Sequence, residues 1–273
     1  MTTDDPASGP PILAAAQREA FARDGWTVVR NLLSPAECDA LELVTMALLR
    51  REIPVPGRDY CDMTADYGRP IEEHALLNVM LPRRHHAPLR GDAYERRAAA
   101  VAAQLCGPDL VLDYDQIVAK PPRSPDAIFH WHQDLAYWPL TADTRTASFW
   151  LALDEVDEDN GCVRFVDGSH REPALRPHHP LHGDRDTNHT LVAALDPSRD
   201  RPRPARLHRG DASVHHERTL HGSGGNTSDR WRRGFVIAFR AASAVAEERA
   251  LGFTHSHNDA PDVLERVAAL RPR

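Results

Sequence analysis

The chain has 273 residues, 41% of them hydrophobic and 27% charged, with forty acidic side chains against thirty-three basic ones and a formal net charge of -7. That is enough apolar material for a core and enough charge for solubility, in a length that one double-sheet or barrel domain can fill. No run of Lys and Arg interleaved with aromatics marks a phosphate-binding stripe, and nowhere do about eighteen apolar residues follow one another, so neither nucleic acid nor a membrane is an expected partner.

Residues 1–11 are acidic, contain proline and lack a basic segment followed by an apolar run; they read as a flexible tail, and a cytoplasmic location is the default expectation. Residues 12–23 are Ala-rich and periodic, predicting a helix that Asp24-Gly25 breaks. A short strand is predicted at 26–30, where Trp26, Thr27, Val28 and Val29 are apolar or β-branched. Ser34-Pro35-Ala36-Glu37 then has the form of a capping box with proline at the first helical position, opening a helix to about Leu49. Residues 51–90 are rich in Pro and Arg and only weakly periodic, so they read as an irregular excursion with one strand at 75–80. A further helix is predicted at 94–106, with Gly107 as its stop.

From Leu110 the character changes to short β-type runs at 110–119, 128–132, 148–153, 162–166, 212–216 and 234–239, separated by turn residues. The expected fold is mainly β with flanking helices, a jelly roll or barrel. Residues 171–204, rich in Pro, His and Asp, are too long and polar for a plain connection and read as a loop over an active site. Cys38, Cys61, Cys106 and Cys162 form no CxxC pair, so neither a zinc knuckle nor a disulfide framework is expected, and the thiols should be reduced and buried.

Sixteen histidines and forty acidic residues predict roughly two chance His-x-Asp/Glu triplets, and the chain has five, beginning at His132, His170, His182, His215 and His257. His132-Gln133-Asp134 stands apart because apolar Ile128-Phe129 precedes it and Tyr137-Trp138 follows, a setting that carries it into the core on a strand. Residues i and i+2 of an extended chain project to one face, so an imidazole nitrogen and a carboxylate oxygen can reach the same cation. A third ligand must come from elsewhere. His221 follows a β-type run and precedes a Gly-rich turn that leaves room beside a metal. Two histidines and one carboxylate on one face of iron(II) leave positions open for cosubstrate and dioxygen. The competing reading is that these are surface histidines or histidines satisfied within the core.

Several separate segments follow one another in a fixed order: Phe21-Ala22-Arg23-Asp24-Gly25-Trp26 with Leu32-Leu33-Ser34-Pro35, then Lys120-Pro121-Pro122 before His132-Gln133-Asp134-Leu135, with Tyr137-Trp138-Pro139 after it. Trp150 then begins a strand, Asn160-Gly161-Cys162 makes a turn, Gly168-Ser169-His170 closes the segment, and His221-Gly222-Ser223-Gly224 leads through Asn226 to Arg232-Arg233. Together, from about Phe21 to Arg240, these segments resemble the phytanoyl-CoA dioxygenase family of iron(II)/2-oxoglutarate oxygenases. The chain departs from the pattern at Asp167, where proline usually stands, and at residues 51–90, which the sequence does not let us match to it.

The resemblance implies one domain with a double-stranded β-helix (jelly-roll or cupin-like) core, the metal ligands His132, Asp134 and His221, and the cofactors iron(II), 2-oxoglutarate and dioxygen. It implies that Arg232, eleven residues after the distal histidine, grips the far carboxylate of 2-oxoglutarate, with Arg233 as the alternative and Ser223 assisting. A planar guanidinium suits that task because it makes two parallel hydrogen bonds to a carboxylate. Gln116 and Trp150 match positions that line the cosubstrate pocket, although Trp150 also reads as core and Gln116 as a strand-edge amide. His216 matches a supporting histidine, while His130 and His215 have no assigned role.

The expected partner is a small organic molecule, held by Tyr137, Trp138 and the 171–204 loop, and the composition fits a natural-product biosynthetic intermediate. Hydroxylation, cyclisation, epimerisation and desaturation all stay open, and the retained Asp134 disfavours halogenation. A zinc hydrolase on the same triad and a non-catalytic jelly-roll binding protein are the rival readings. The oligomeric state leaves no sequence signal.

Overall fold

A computed structural model describes residues 11–269; of the expected tail at 1–11, all but Pro11 lies outside them. The described chain opens as helix, strand, helix: α1 (Ala15–Asp24), β1 (Trp26–Val29) and α2 (Pro35–Leu49). Gly25 ends α1 at φ 84°, where His170 and Thr219 leave no room for a Cβ. Only glycine adopts that left-handed backbone without steric cost. At α2, Ser34 Oγ accepts the Glu37 N–H at 3.4 Å while the Glu37 carboxylate accepts the Ser34 N–H at 2.8 Å, the reciprocal cap that the sequence predicts.

Residues 51–90 form more structure than their sequence announces: β2 (Tyr60–Asp62), β3 (Leu77–Met80) and one helical turn, α3 (Pro82–His85). Next comes α4 (Ala93–Cys106), capped by the Asp92 carboxylate on the Glu95 N–H at 2.8 Å and closed by the Gly107 N–H on the Ala103 carbonyl at 3.0 Å. The β-rich part comprises β4 (Leu110–Lys120), β5 (Phe129–His132), β6 (Thr146–Ala152), β7 (Val163–Val166), β8 (His178–Pro180), β9 (Leu191–Ala193), β10 (Pro202–Pro204), β11 (Ala212–His215), β12 (His221–Ser223) and β13 (Arg232–Ala241). Two helices, α5 (Ala242–Ala250) and α6 (Pro261–Ala269), follow.

The strands pair antiparallel into a seven-stranded sheet, β1-β11-β6-β13-β4-β3-β2, and a four-stranded sheet, β10-β7-β12-β5. Both contribute walls to one cavity, and the architecture is a double-stranded β-helix with flanking helices. The two-residue period of the strands divides the large sheet into a structural face and a cavity face. Phe149 and Leu151 of β6 and Phe235 and Ile237 of β13 join α1, α2 and α4 in the largest apolar core. The intervening Ser148, Trp150, Val236 and Ala238 line the cavity. Burying a side chain such as Phe149, which is 0% exposed, is worth roughly 1.5–3 kcal/mol, so the helix-backed face anchors the sheet while the other face is free to carry chemistry.

Residues 171–204 are not a plain loop. They contain the β8–β9 hairpin and the strand β10, which pairs with β7. Pro202 and Pro204 fit there because β10 is an edge strand, where a missing N–H costs no ladder hydrogen bond. All four cysteines are free thiols; Cys38, Cys61 and Cys162 are buried, but Cys106 is only partly so.

Candidate active site

His132 is the last residue of β5, and the strand does not continue through Asp134 as the triplet predicts. Gln133 is extended (φ -120°, ψ 130°) and Asp134 opens a short 3-10 turn. One extended residue is enough to keep His132 and Asp134 on the same side. Gln133 itself is buried and acts as a staple: its Nε2 donates to the Arg218 carbonyl at 2.6 Å and its Oε1 accepts the Arg176 N–H at 2.9 Å. His221 begins β12 and lies directly opposite His132 in the β5–β12 pair, so strand register brings the distant histidine to the triplet.

Both rings are oriented by a carbonyl of their own strand segment. His132 Nδ1 lies 2.7 Å from the His130 carbonyl and His221 Nδ1 lies 2.9 Å from the Thr219 carbonyl. A carbonyl only accepts, so the proton of each neutral ring sits on Nδ1 and each Nε2 presents a lone pair. Each Nε2 is 3.5 Å from Asp134 Oδ1. Asp134 Oδ2 is taken by Ser148 Oγ at 3.0 Å and His215 Nε2 at 3.1 Å, which turns Oδ1 toward the two rings.

Burial alone would raise the Asp134 carboxyl, but the neighbouring histidines, His221 foremost, hold it well below the usual carboxylate range. Burial and the adjacent His132 push His221 well below the usual histidine range. An ionised carboxylate thus meets a neutral imidazole, the state in which both are ligands. The donor atoms of His132, Asp134 and His221 lie within 4.8 Å of one another, and among the described residues no other group of three His, Cys, Asp or Glu side chains gathers in this way. Three electron pairs aimed at one point repel unless a cation lies between them, and two imidazoles with one carboxylate suit iron(II) with open positions.

The supporting histidine is His215 rather than the expected His216. Alternation along β11 and its continuation turns His216 away: its Nδ1 accepts the Arg218 N–H at 3.1 Å, and its ring lies near His170, 5.7 Å between centroids. His215 instead pairs across the sheet with Ser148, so the two groups that hold Asp134 Oδ2 are cross-strand neighbours. The only sequence signal was that His215 begins a His-x-Glu triplet. His130 contributes its carbonyl to His132.

Further along sit two buried basic side chains, of which Arg232 lines the cavity. Arg232 is 1% exposed, its guanidinium lies 4.4 Å from the Trp150 ring and Nη2 is 3.4 Å from Ser223 Oγ, while Nε and Nη1 have no partner among the described residues. Lys120, its cross-strand partner on β4, donates to Ser223 Oγ at 2.6 Å and to the Gly224 carbonyl at 2.5 Å. Burial pushes Arg232 down to about 9, and burial together with the charge of Arg232 pushes Lys120 well below its usual range. Burial destabilises the charged form of both, and a carboxylate arriving in the cavity at Arg232 would offset that cost through charge-assisted hydrogen bonds. Gly234 belongs to this site because any Cβ there would strike the Trp150 indole.

Arg233, one residue on, points the other way and is already paired, with Asp154 at 2.5 Å and Glu42 at 2.6 Å. Gln116 lines the cavity wall, donating to Asn78 Oδ1 at 2.5 Å and accepting the Tyr114 hydroxyl at 3.2 Å. Tyr137 and Trp138 line the opposite end, where residues 171–204 contribute His189. Among the described residues no helix is long and apolar enough to cross a membrane.

The profile of the phytanoyl-CoA dioxygenase family matches residues 21–234. The peroxisomal phytanoyl-CoA dioxygenase of Rattus norvegicus is 24% identical over 259 residues, covering 93% of this chain and 75% of its own. Among solved structures, EvdO2 from Micromonospora carbonacea var. aurantiaca complexed with 2-oxoglutarate is 28% identical, with a TM-score of 0.66 over 86% of this chain and 93% of its own. The non-haem α-ketoglutarate-dependent carbocyclase SnoK from nogalamycin biosynthesis, 23% identical, shares the fold with a TM-score of 0.69, covering 86% of this chain and 88% of its own. With more than half of its length matched, the chain belongs to the phytanoyl-CoA dioxygenase family and is a non-haem iron(II)/2-oxoglutarate-dependent dioxygenase with iron(II), 2-oxoglutarate and dioxygen as its cofactors.

Proposed function

We propose that the chain is a single oxygenase domain in which His132, Asp134 and His221 hold iron(II), Arg232 receives the far carboxylate of 2-oxoglutarate, and a small organic molecule is oxidised at the Tyr137–Trp138 end of the cavity. The observation that carries this reading is the pair of unpartnered guanidinium nitrogens on Arg232, buried in the same cavity as the three converging ligands. Iron(II) with 2-oxoglutarate and dioxygen supplies an oxidant that removes hydrogen from a substrate carbon.

The chain's own residues do the rest. Ser148 and His215 fix Asp134 so that one oxygen faces the metal position. Ser223, held by Lys120, completes the carboxylate cradle, with Trp150 beneath Arg232 and Gln116 on the wall. The indole and phenol of Trp138 and Tyr137 exclude water from the reacting carbon. Hydroxylation is the simplest outcome, with cyclisation, epimerisation and desaturation as the other reactions such a site supports; the substrate class includes biosynthetic intermediates of the kind that the nogalamycin neighbour's name indicates.

A zinc hydrolase on the same ligands would leave Arg232 and Lys120 buried with no function, and that cost weighs against it. The test is metal analysis with 2-oxoglutarate titration of the purified protein. Stoichiometric iron(II) and saturable, iron-dependent succinate release are expected; preferential zinc loading with no 2-oxoglutarate binding would overturn the proposal.

A further inference from the structure

One inward-turned arginine is used by neither the metal ligands nor the carboxylate cradle. Arg185 lies in the largely exposed connection between β8 and β9, yet its Nε and Nη2 are buried with no hydrogen-bond partner among the described residues. Of the other described arginines with unbonded buried nitrogens, Arg83 has Glu95 at 3.7 Å, and Arg240 has Asp113 at 2.9 Å and Glu248 at 2.5 Å. That leaves Arg232 and Arg185 without an ion pair, and Arg232 is the residue assigned to the carboxylate of 2-oxoglutarate.

The acidic residues on either side of Arg185 do not neutralise it. Asp184 accepts the Thr187 N–H at 2.7 Å and the Thr187 hydroxyl at 3.1 Å, and Asp186 is exposed. What faces the guanidinium is aromatic. Its carbon lies 5.9 Å from the centroid of the Tyr137 ring, and the groups that oppose the effect of burial on its charge are the phenols of Tyr137 and Tyr67, with no carboxylate among them. A phenol face is a weak resting place for a cation that keeps its charge at any ordinary pH. Tyr137 in turn lines the cavity, its ring 5.8 Å from that of His132 and 6.2 Å from that of His189. Arg185 therefore stands one ring behind the substrate end.

Two features set the sign and shape of what would pair with it. The Nε–H and Nη2–H leave one edge of a guanidinium in parallel, the arrangement that grips two oxygens of one oxoanion. Among the described residues, Asp134 is the only carboxylate on the cavity wall, and as a metal ligand it is not free to neutralise a cationic substrate. We infer that the substrate is an anion, with a carboxylate or phosphoryl group that draws the Arg185 side chain past the Tyr137 ring and pairs with its Nε–Nη2 edge. The long side chain and its exposed loop permit that turn, and the anchored group then leaves the rest of a small molecule lying toward His132 and Asp134. The inference rests on the oxygenase reading in placing the substrate at this end.

The test uses the zinc-substituted protein saturated with 2-oxoglutarate, so that the cosubstrate site is filled, and labelled with ¹⁵N at arginine. The probes share one ring: cyclohexanecarboxylate, cyclohexylphosphonate, cyclohexanol and cyclohexylammonium. At least one of the two anions should bind about tenfold or more tightly than the alcohol and the ammonium, and the tighter of the two identifies the group as carboxylate or phosphoryl. The same anion should move the Arg185 Nε–H resonance, recognised by its loss in Arg185→Gln. Arg185→Gln should weaken the anion about ten- to a hundredfold, keep cyclohexanol within about threefold and leave the melting temperature undiminished, since no ion pair is broken. Arg185→Lys should recover part of the loss, because it keeps the charge without the fork. Anion binding indifferent to both variants, an unmoved Nε–H, or cyclohexanol or cyclohexylammonium binding as tightly as the anions would overturn the inference. So would an Arg185→Gln protein that melts lower and loses all the probes alike, the mark of an arginine that only supports the loop. 2-Oxoglutarate binding followed in parallel reports on the oxygenase reading alone: its absence in the wild type sinks that reading, whereas its presence with no role for Arg185 in anion binding sinks this one.

Discussion

The two ends of the cavity are built differently. The metal and carboxylate end is assembled from strands, and its key pairs are register partners: His132 with His221, Ser148 with His215, and Lys120 with Arg232. Ladder hydrogen bonds fix these positions, so side-chain placement is inherited from the sheet. The substrate end is assembled from connections, namely residues 51–90, residues 171–204 and the turn before α6. Side chain to backbone bonds hold it: Asn188 Nδ2 donates to the carbonyls of Asp62 at 2.9 Å and Ala65 at 2.5 Å, and Thr190 Oγ1 donates to the Met63 carbonyl at 3.0 Å. A rigid scaffold thus carries the proposed metal and carboxylate sites, while separately stitched segments close the other end of the cavity.

The largest expected effect falls on the strand-built end. His132→Ala and Asp134→Ala should each abolish iron binding and turnover together, because two remaining ligands do not hold a labile iron(II) in an open site. Metal content after desalting measures the first and succinate release the second; iron-dependent turnover at the wild-type level in either variant would break the assignment.

Next in size, Arg232→Ala should raise the 2-oxoglutarate half-saturation by roughly ten- to a hundredfold, from the loss of a paired charge-assisted contact, with iron content unchanged. Lysine at 232 should rescue only partly, since an ammonium keeps the charge but not the fork. Arg233→Ala should lower the melting temperature, because it takes the guanidinium from Asp154 and one of the two arginine partners from Glu42, and leave the half-saturation alone. The opposite result would mean that strand alternation has been assigned to the wrong face.

A smaller effect separates two adjacent histidines. His215→Phe should weaken iron affinity roughly tenfold, the scale of losing a group that orients a ligand, whereas His216→Phe should leave it unchanged. Competition with a calibrated chelator gives both numbers, and equal values would show that the hydrogen bond to Asp134 does not orient it.

The smallest effect tests the stitching itself. Asn188→Ala removes three buried bonds and should speed amide hydrogen exchange in residues 60–67 and 187–193 without altering exchange in β5 and β12 or the affinity for 2-oxoglutarate. Faster exchange at His132 and His221 would show that the two ends are one cooperative unit and erase the distinction.

The helices and most strands were readable from sequence because each rests on local chemistry. Ser34 and Glu37 cap α2 wherever they occur together, and Phe149, Leu151, Phe235 and Ile237 alternate with cavity residues because a strand has a period of two. The short strands escaped: β10 hides behind Pro202 and Pro204, and β2, β8 and β9 are three residues each, too short for a period to register. His132 and Asp134 could be paired because one residue separates them, while His221 needed a Gly-rich context and a family resemblance.

The sequence alone determined the local elements, the His132-Gln133-Asp134 spacing and the family, since all of these are written in residues close to one another or in ordered motifs. Tertiary structure decided that His215 rather than His216 supports Asp134, and that Arg232 rather than Arg233 is left without a carboxylate. Each of these depends on which face a side chain takes and on a partner far along the chain. Hydrogen bonds and burial act through space, and no local pattern of residues encodes where the two sheets and their connecting segments will meet.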